Sequence, residues 1–216
     1  MKNKITAKNA TKVLEILAGI YGEVQPDLKF RNNFELTIAV VLSAQTTDKQ
    51  VNSVTGELFA KYPGFDELAE AHTADVEKII KSTGFFHAKS RNIVALSRMV
   101  KEKFGGELPG EMEKLLELPG VGRKSANVIL SIGYGIPGLA VDTHVGRIAK
   151  RLGFTASDNP DTVEKDLCEI IPPAGWRDAH LLFIRHGREL CRARNPLCHS
   201  CPLTGYCLYY RDTIAF

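Results

Sequence analysis

The chain has 216 residues, of which 44% are hydrophobic and 25% charged, with a net charge of +3 at pH 7. This apolar content fills one large or two small cores without help from disulfides. No window approaches the roughly 18 apolar residues of a membrane span, and no apolar stretch follows the lysines of MKNKITAKNA as a targeting segment would require, so a cytoplasmic, reduced setting is expected.

Hydrophobic periodicity is helical nearly throughout. Val13, Leu14, Leu17, Ile20 and Tyr21 recur at helical spacing, as do Val51, Val54 and Leu58, then Val76, Ile79 and Ile80. Asn33 before Phe34 and Thr73 before Ala74 read as helix starts, while Pro63-Gly64 and Gly84 read as stops. By size alone, Phe85 and Phe86 read as core residues. No alternating pattern marks a strand, so the expected fold class is all-α, built from about ten short helices.

At mid-chain, Leu118-Pro119-Gly120-Val121-Gly122-Arg123-Lys124 joins one apolar helix to the amphipathic run from Ala126 to Ile132. Two glycines around one apolar residue make a tight hairpin, either as turn punctuation or as a backbone N–H cradle for one phosphate. A nucleotide P-loop is excluded, because Arg123 stands before Lys124 where that motif requires glycine. Further on, Asp142 in Val141-Asp142-Thr143-His144 is placed to N-cap a helix running through Arg151.

The last third is rich in arginine: Arg147, Arg151, Arg177, Arg185, Arg188, Arg192 and Arg194, with Lys150 among them. Such a cluster suits either a phosphate backbone or a solvated helix face. Within it lie Cys191, Cys198, Cys201 and Cys207, spaced C-x6-C-x2-C-x5-C. Thiolates that close suit a shared soft metal centre, tetrahedral zinc or an iron–sulfur cluster. A single C-x-x-C, where zinc ribbons usually offer two, favours iron–sulfur. Cys168 falls outside the pattern and reads as a buried helix residue.

LPGVGRK at Leu118 to Lys124, VDTH at Val141 to His144, LSAQTTD at Leu42 to Asp48 and the cysteine loop occur together, with Asp142 placed 18 residues after Lys124. In this combination the chain resembles the endonuclease III family, bifunctional DNA glycosylases and abasic-site lyases of the helix-hairpin-helix superfamily. The resemblance runs from about Phe34 to Cys207. It implies two helical lobes: a six-helix domain with the hairpin over 25–134, and an iron–sulfur domain combining 1–24 with 135–216.

The resemblance further implies Lys124 as nucleophile and Asp142 as its catalytic partner, acting on oxidised pyrimidines in double-stranded DNA. A 4Fe-4S cluster would be held by Cys191, Cys198, Cys201 and Cys207. Gln45 and Phe85 would enter the stack vacated by an extruded nucleotide, although relatives often carry an aliphatic residue where Phe85 stands. Gly120, Val121, Gly122, Arg123, His144, Arg192 and Arg194 would meet DNA, whereas Asn195 and Leu197 fall where relatives carry more positive charge. A monomer is expected.

Four other readings compete. Adenine glycosylases carry a catalytic glutamate where this chain has Ile38-Ala39-Val40-Val41, and they lack the lysine, as thymine-mismatch glycosylases usually do. A non-catalytic DNA-binding module would leave Lys124 and Asp142 without a shared task. A ferredoxin-type carrier would need neither a hairpin nor the basic residues around the cysteines.

Overall fold

The computed structural model describes residues 5–214. Residues 1–4 and 215–216, the outermost positions of the expected iron–sulfur domain and the start of the lysine-bearing N-terminal stretch, lie outside the described residues. Among the described residues there are helices and no strands. The chain forms two compact units, Met1–Gln25 with Pro137–Phe216, and Pro26–Ile136.

The second of these units is built from α2 (Asn33–Leu42), α3 (Asp48–Lys61), α4 (Phe65–Ala69), α5 (Thr73–Ile80), α6 (Phe86–Lys103), α7 (Met112–Leu116) and α8 (Arg123–Val128). Its centre is α2, in which every residue from Phe34 to Leu42 is buried. A helix apolar all round belongs inside a core, and Phe34 meets Phe59 and Phe65 edge-to-face, with centroids 5.6 and 4.9 Å away.

Asn32, not Asn33, N-caps α2, accepting the Glu35 N–H at 2.9 Å. Asn33 already lies in the first turn. The Glu35 carboxylate returns to the Arg31 N–H at 2.7 Å and the Arg31 Nη2 at 2.6 Å, so the one buried acid of α2 is held by its own approach segment. Similarly, α5 begins at Thr73 with His72 as its cap, and a 3₁₀ turn, Lys81–Thr83, follows it. The Pro63-Gly64 stop holds, with α3 ending at Lys61. The amphipathic run after the hairpin passes from α8 into a π turn, Ile129–Gly133.

The other unit packs α1 (Ala7–Tyr21), α9 (Thr143–Leu152), α10 (Pro160–Ile170), α11 (Trp176–Glu189) and α12 (Leu208–Thr213). Val13, Leu17, Ile148, Phe154, Leu167 and Phe183 form its core, with Cys191, Cys201 and Cys207 packed at its margin. Gly187 of α11 lets α9 approach closely: a Cβ there would stand 2.8 Å from His144 Nδ1 and 2.9 Å from Arg147 Nη2. Cys168 is partly buried on α10. Among the described residues, no helix is long and apolar enough to cross a membrane.

Candidate active site and iron–sulfur centre

The hairpin is set by Leu118 and Val121, both buried, and closed by a hydrogen bond from the Val121 N–H to the Leu118 carbonyl at 3.0 Å. Gly120 turns the chain at φ +82°, where a Cβ would sit 3.0 Å from Asn92 Nδ2 and Val41 Cγ1. Glycine is required there on both counts. Gly122 caps α8 in an extended conformation and, as glycine, brings no side-chain acceptor to the first turn, the arrangement in which a helix start can receive an anion. Arg123 and Lys124 follow as exposed residues of that first turn.

Gln45 and Phe85 lie in the same unit as the hairpin. Both adopt the left-handed region, at φ 53° and 47°, which costs a non-glycine residue about 1 kcal/mol or more. Phe85 is 68% exposed, which corrects its reading by size as a core residue; Phe86 does pack against the core. The physical reason is Gly84 and the left-handed cap at Phe85, which turn the chain outward before α6 begins. Ile38, Ala39, Val40 and Val41 are all buried, so the stretch where adenine glycosylases carry their acid is core here.

In the other unit, Asp142 N-caps α9, its Oδ1 accepting the Val145 N–H at 2.8 Å. His144 lies in the first turn of that helix, and its Nδ1 faces Arg147 Nη2 at 3.0 Å. A guanidinium only donates, so Nδ1 accepts and the neutral ring carries its proton on Nε2. Burial pushes the His144 imidazole below the usual histidine value, an effect the nearby Asp142 carboxylate opposes and Arg147 reinforces.

The arginines divide into two groups. Arg147 spends its guanidinium on the carbonyls of Cys191 at 3.1 Å and Gly187 at 3.0 Å. Arg151, one turn on, donates to Cys191 Sγ at 3.2 Å and the Arg192 carbonyl at 2.8 Å, and lies over the Tyr209 ring. These two hold the loop from within. Lys150 pairs with Asp158 and Arg185 with Glu189 on the surface. Arg192 and Arg194 belong to the loop itself and are both exposed, with Arg192 Nε donating to the Glu189 carbonyl at 3.2 Å. Asn195 takes φ 50°, a backbone conformation asparagine tolerates better than most residues, so this position serves the turn of the loop. Sequence reasoning missed the inward role of Arg147 and Arg151; their spacing of four, one turn after a capped Asp142, was the available signal.

Cys191, Cys198, Cys201 and Cys207 line one pocket with about 390 Å3 of empty space, part of it open to solvent. None is in a disulfide. Among the described residues, no three His, Cys, Asp or Glu side chains converge closely enough for a single metal ion. Four thiols lining one pocket are the donor set of a multi-iron cluster, which is held by four cysteine thiolates. Burial lifts the Cys201 thiol to about 11 and raises Cys198 and Cys207, with the neighbouring Cys191 adding to both. Thiols so placed ionise when a cationic centre compensates them, as ligation by iron does. Behind Cys201, His186 Nε2 lies 3.6 Å from the sulfur and its Nδ1 3.1 Å from Tyr21 Oη.

Comparison with known proteins agrees with this arrangement. The family of HhH-GPD superfamily base excision DNA repair proteins matches residues 38–173. The iron–sulfur binding domain of endonuclease III matches residues 191–207, the stretch bounded by the first and last of the four cysteines, and the cofactor is a 4Fe-4S cluster. Endonuclease III of Synechocystis sp. is 44% identical over 201 residues, covering 93% of this chain and 92% of the relative. Two solved structures, a non-covalent endonuclease III–DNA complex and a trapped endonuclease III–DNA covalent intermediate, each align with TM-score 0.91 and 42% identity, covering 96% of this chain and 98% of theirs. With its fold, its hairpin and its cysteine loop matched over nearly the whole length, the chain belongs to the endonuclease III family of base excision DNA repair proteins.

Proposed function

We propose that the protein excises oxidised pyrimidines from double-stranded DNA and then cleaves the strand at the abasic site, with Lys124 as nucleophile and Asp142 as its partner. The observation that carries this reading is the match to a trapped endonuclease III–DNA covalent intermediate at 42% identity and TM-score 0.91. A covalent intermediate calls for an enzyme nucleophile, and Lys124 is an exposed amine in the turn that follows the hairpin.

In this mechanism the neutral Lys124 amine adds to the anomeric carbon of the sugar. The glycosidic bond breaks, and the base leaves with that electron pair and gains a proton. Asp142 stabilises the positive charge that develops on the ring. The aminated sugar opens to a Schiff base on Lys124. Loss of a proton from the carbon next to the imine then expels the 3′ phosphate by β-elimination. The target must leave the duplex first, and Gln45 and Phe85 fill the gap it leaves.

Gly120, Gly122 and Arg123 cradle a phosphate through backbone N–H groups, with Val121 holding the hairpin closed through its own N–H to Leu118, while Arg192, Arg194 and His144 add contacts around the lesion. Cys191, Cys198, Cys201 and Cys207 hold the cluster, which when bound supplies the cross-link that fixes the shape of the arginine-bearing loop. Thiolate ligands and a DNA substrate fit a monomer working at the chromosome in the cytoplasm.

Borohydride trapping on duplex DNA containing thymine glycol, with wild type beside Lys124→Ala, tests this reading. An adduct formed by wild type and lost in the variant is the expected result. Base release without an adduct would mean a monofunctional glycosylase using water, and neither product would leave a DNA-binding protein.

A further inference from the structure

Lys89 is a buried lysine, 4% exposed, near the start of α6. Its Nζ donates to Thr46 Oγ1 at 2.6 Å and to the Thr83 carbonyl at 2.8 Å. Thr46 follows Gln45, and Thr83 lies two residues before Phe85. The Thr46 hydroxyl itself donates to the Thr83 carbonyl, closing a triangle of three polar groups between the two loops. The Lys89 backbone N–H reaches the Phe85 carbonyl at 3.0 Å. Gln50 Nε2 adds an outer tie to Ser82 Oγ at 2.7 Å.

An ammonium this deep is costly, and a methionine would fill similar volume without that cost. Burial accordingly pushes the Lys89 amine below its usual range. What the lysine adds over an apolar side chain is direction: two donor bonds, one to each loop, both ending close to a residue in a left-handed conformation. Loops held only by apolar packing could shift separately. Loops joined through a common buried donor move together or not at all.

We propose that Lys89 is a positioning residue that locks the Gln45 and Phe85 loops into one rigid wedge, so that both side chains enter the DNA stack in a single step. The proposal rests on the base-extruding function given above, and it deepens that reading by naming what aligns the two inserted residues. Lys89 touches neither DNA nor the reacting sugar.

The test compares single-turnover release of thymine glycol from a fully paired duplex with release from a single-nucleotide bulge, in which the lesion is already unpaired. Wild type, Lys89→Met, Lys89→Arg and Thr46→Val are measured as purified holoproteins, with helical circular dichroism and visible iron–sulfur absorbance confirming folding. Lys89→Met is expected to slow release from the paired duplex by on the order of ten- to a hundredfold while changing the bulge rate less than about twofold. Lys89→Arg should recover part of the loss. Thr46→Val, which removes one end of the bridge and leaves the buried charge, should reproduce the selective defect and serves if Lys89→Met does not fold. Equal slowing on both substrates, or no slowing in a folded variant, overturns the proposal. Wild type inactive on both substrates would instead overturn the glycosylase reading itself.

Discussion

Arg151 donates from Nη1 to the Sγ of Cys191 across 3.2 Å, while its guanidinium lies over the Tyr209 ring at 4.5 Å. A positive donor on a ligand sulfur stabilises the more electron-rich state of an iron–sulfur centre. Replacing Arg151 with Met should therefore move the cluster potential in the negative direction. The shift should be on the order of tens of millivolts, a fraction of the roughly 1.5–3 kcal/mol that a charged hydrogen bond is worth. Voltammetry of the holoprotein reads this directly, and an unchanged potential would show that the bond only shapes the loop.

Asp142 caps α9, and in the proposed mechanism it also stabilises the sugar cation; one pair of substitutions separates the two roles. Asparagine caps a helix about as well as aspartate, so Asp142→Asn should leave stability within about 0.5 kcal/mol, whereas Asp142→Ala should cost about 1 kcal/mol. Both remove the charge. If the carboxylate stabilises the sugar cation, both should slow base release by on the order of a hundredfold or more. Thermal unfolding and single-turnover kinetics on the same samples give the two readouts.

The two hairpin glycines should respond differently to alanine. Gly120→Ala meets a left-handed backbone and two side-chain atoms at 3.0 Å, and should destabilise by about 1–3 kcal/mol. At Gly122 no atom lies within 4 Å of where a methyl would sit, and φ is an ordinary −98°, so Gly122→Ala should fold normally. Its added methyl stands at the start of α8, so DNA affinity should still fall. Retained affinity in Gly122→Ala would argue that the hairpin is turn punctuation only.

His144 carries a pH signature. Its folded value lies below the ordinary ~6.5 of histidine, mainly through burial. Between those two values the unfolded chain binds a proton that the folded chain refuses, so stability falls as pH falls through that window. Above about pH 6.5 the contribution is flat. Melting temperature followed from about pH 8 to about pH 5 should decline more steeply for wild type than for His144→Asn, and parallel curves would remove His144 as the cause.

Local signals carried much of this protein in its sequence alone. Helical spacing at Val13, Leu17 and Val51, Val54, Leu58, the stop at Pro63-Gly64 and the cap at Asp142 are each decided within about one turn of chain, and each is realised as read. The cap at Asn32 and the start of α5 at Thr73 differ by one residue, because adjacent polar residues compete for the same role.

The tertiary structure decided what depends on distant partners. Phe85 faces solvent because Gly84 and the cap of α6 turn it outward, and no spacing rule reports that direction. Lys89 is buried because Thr46, 43 residues away in sequence, and Thr83 supply oxygens for its ammonium. Arg147 and Arg151 look in composition like their neighbours Arg192 and Arg194 in the loop, yet they turn inward to the carbonyls and sulfur at Cys191. Charge is written in the sequence, but whether a charge faces water or a buried acceptor is fixed only when separate helices pack and leave polar groups that must be paired.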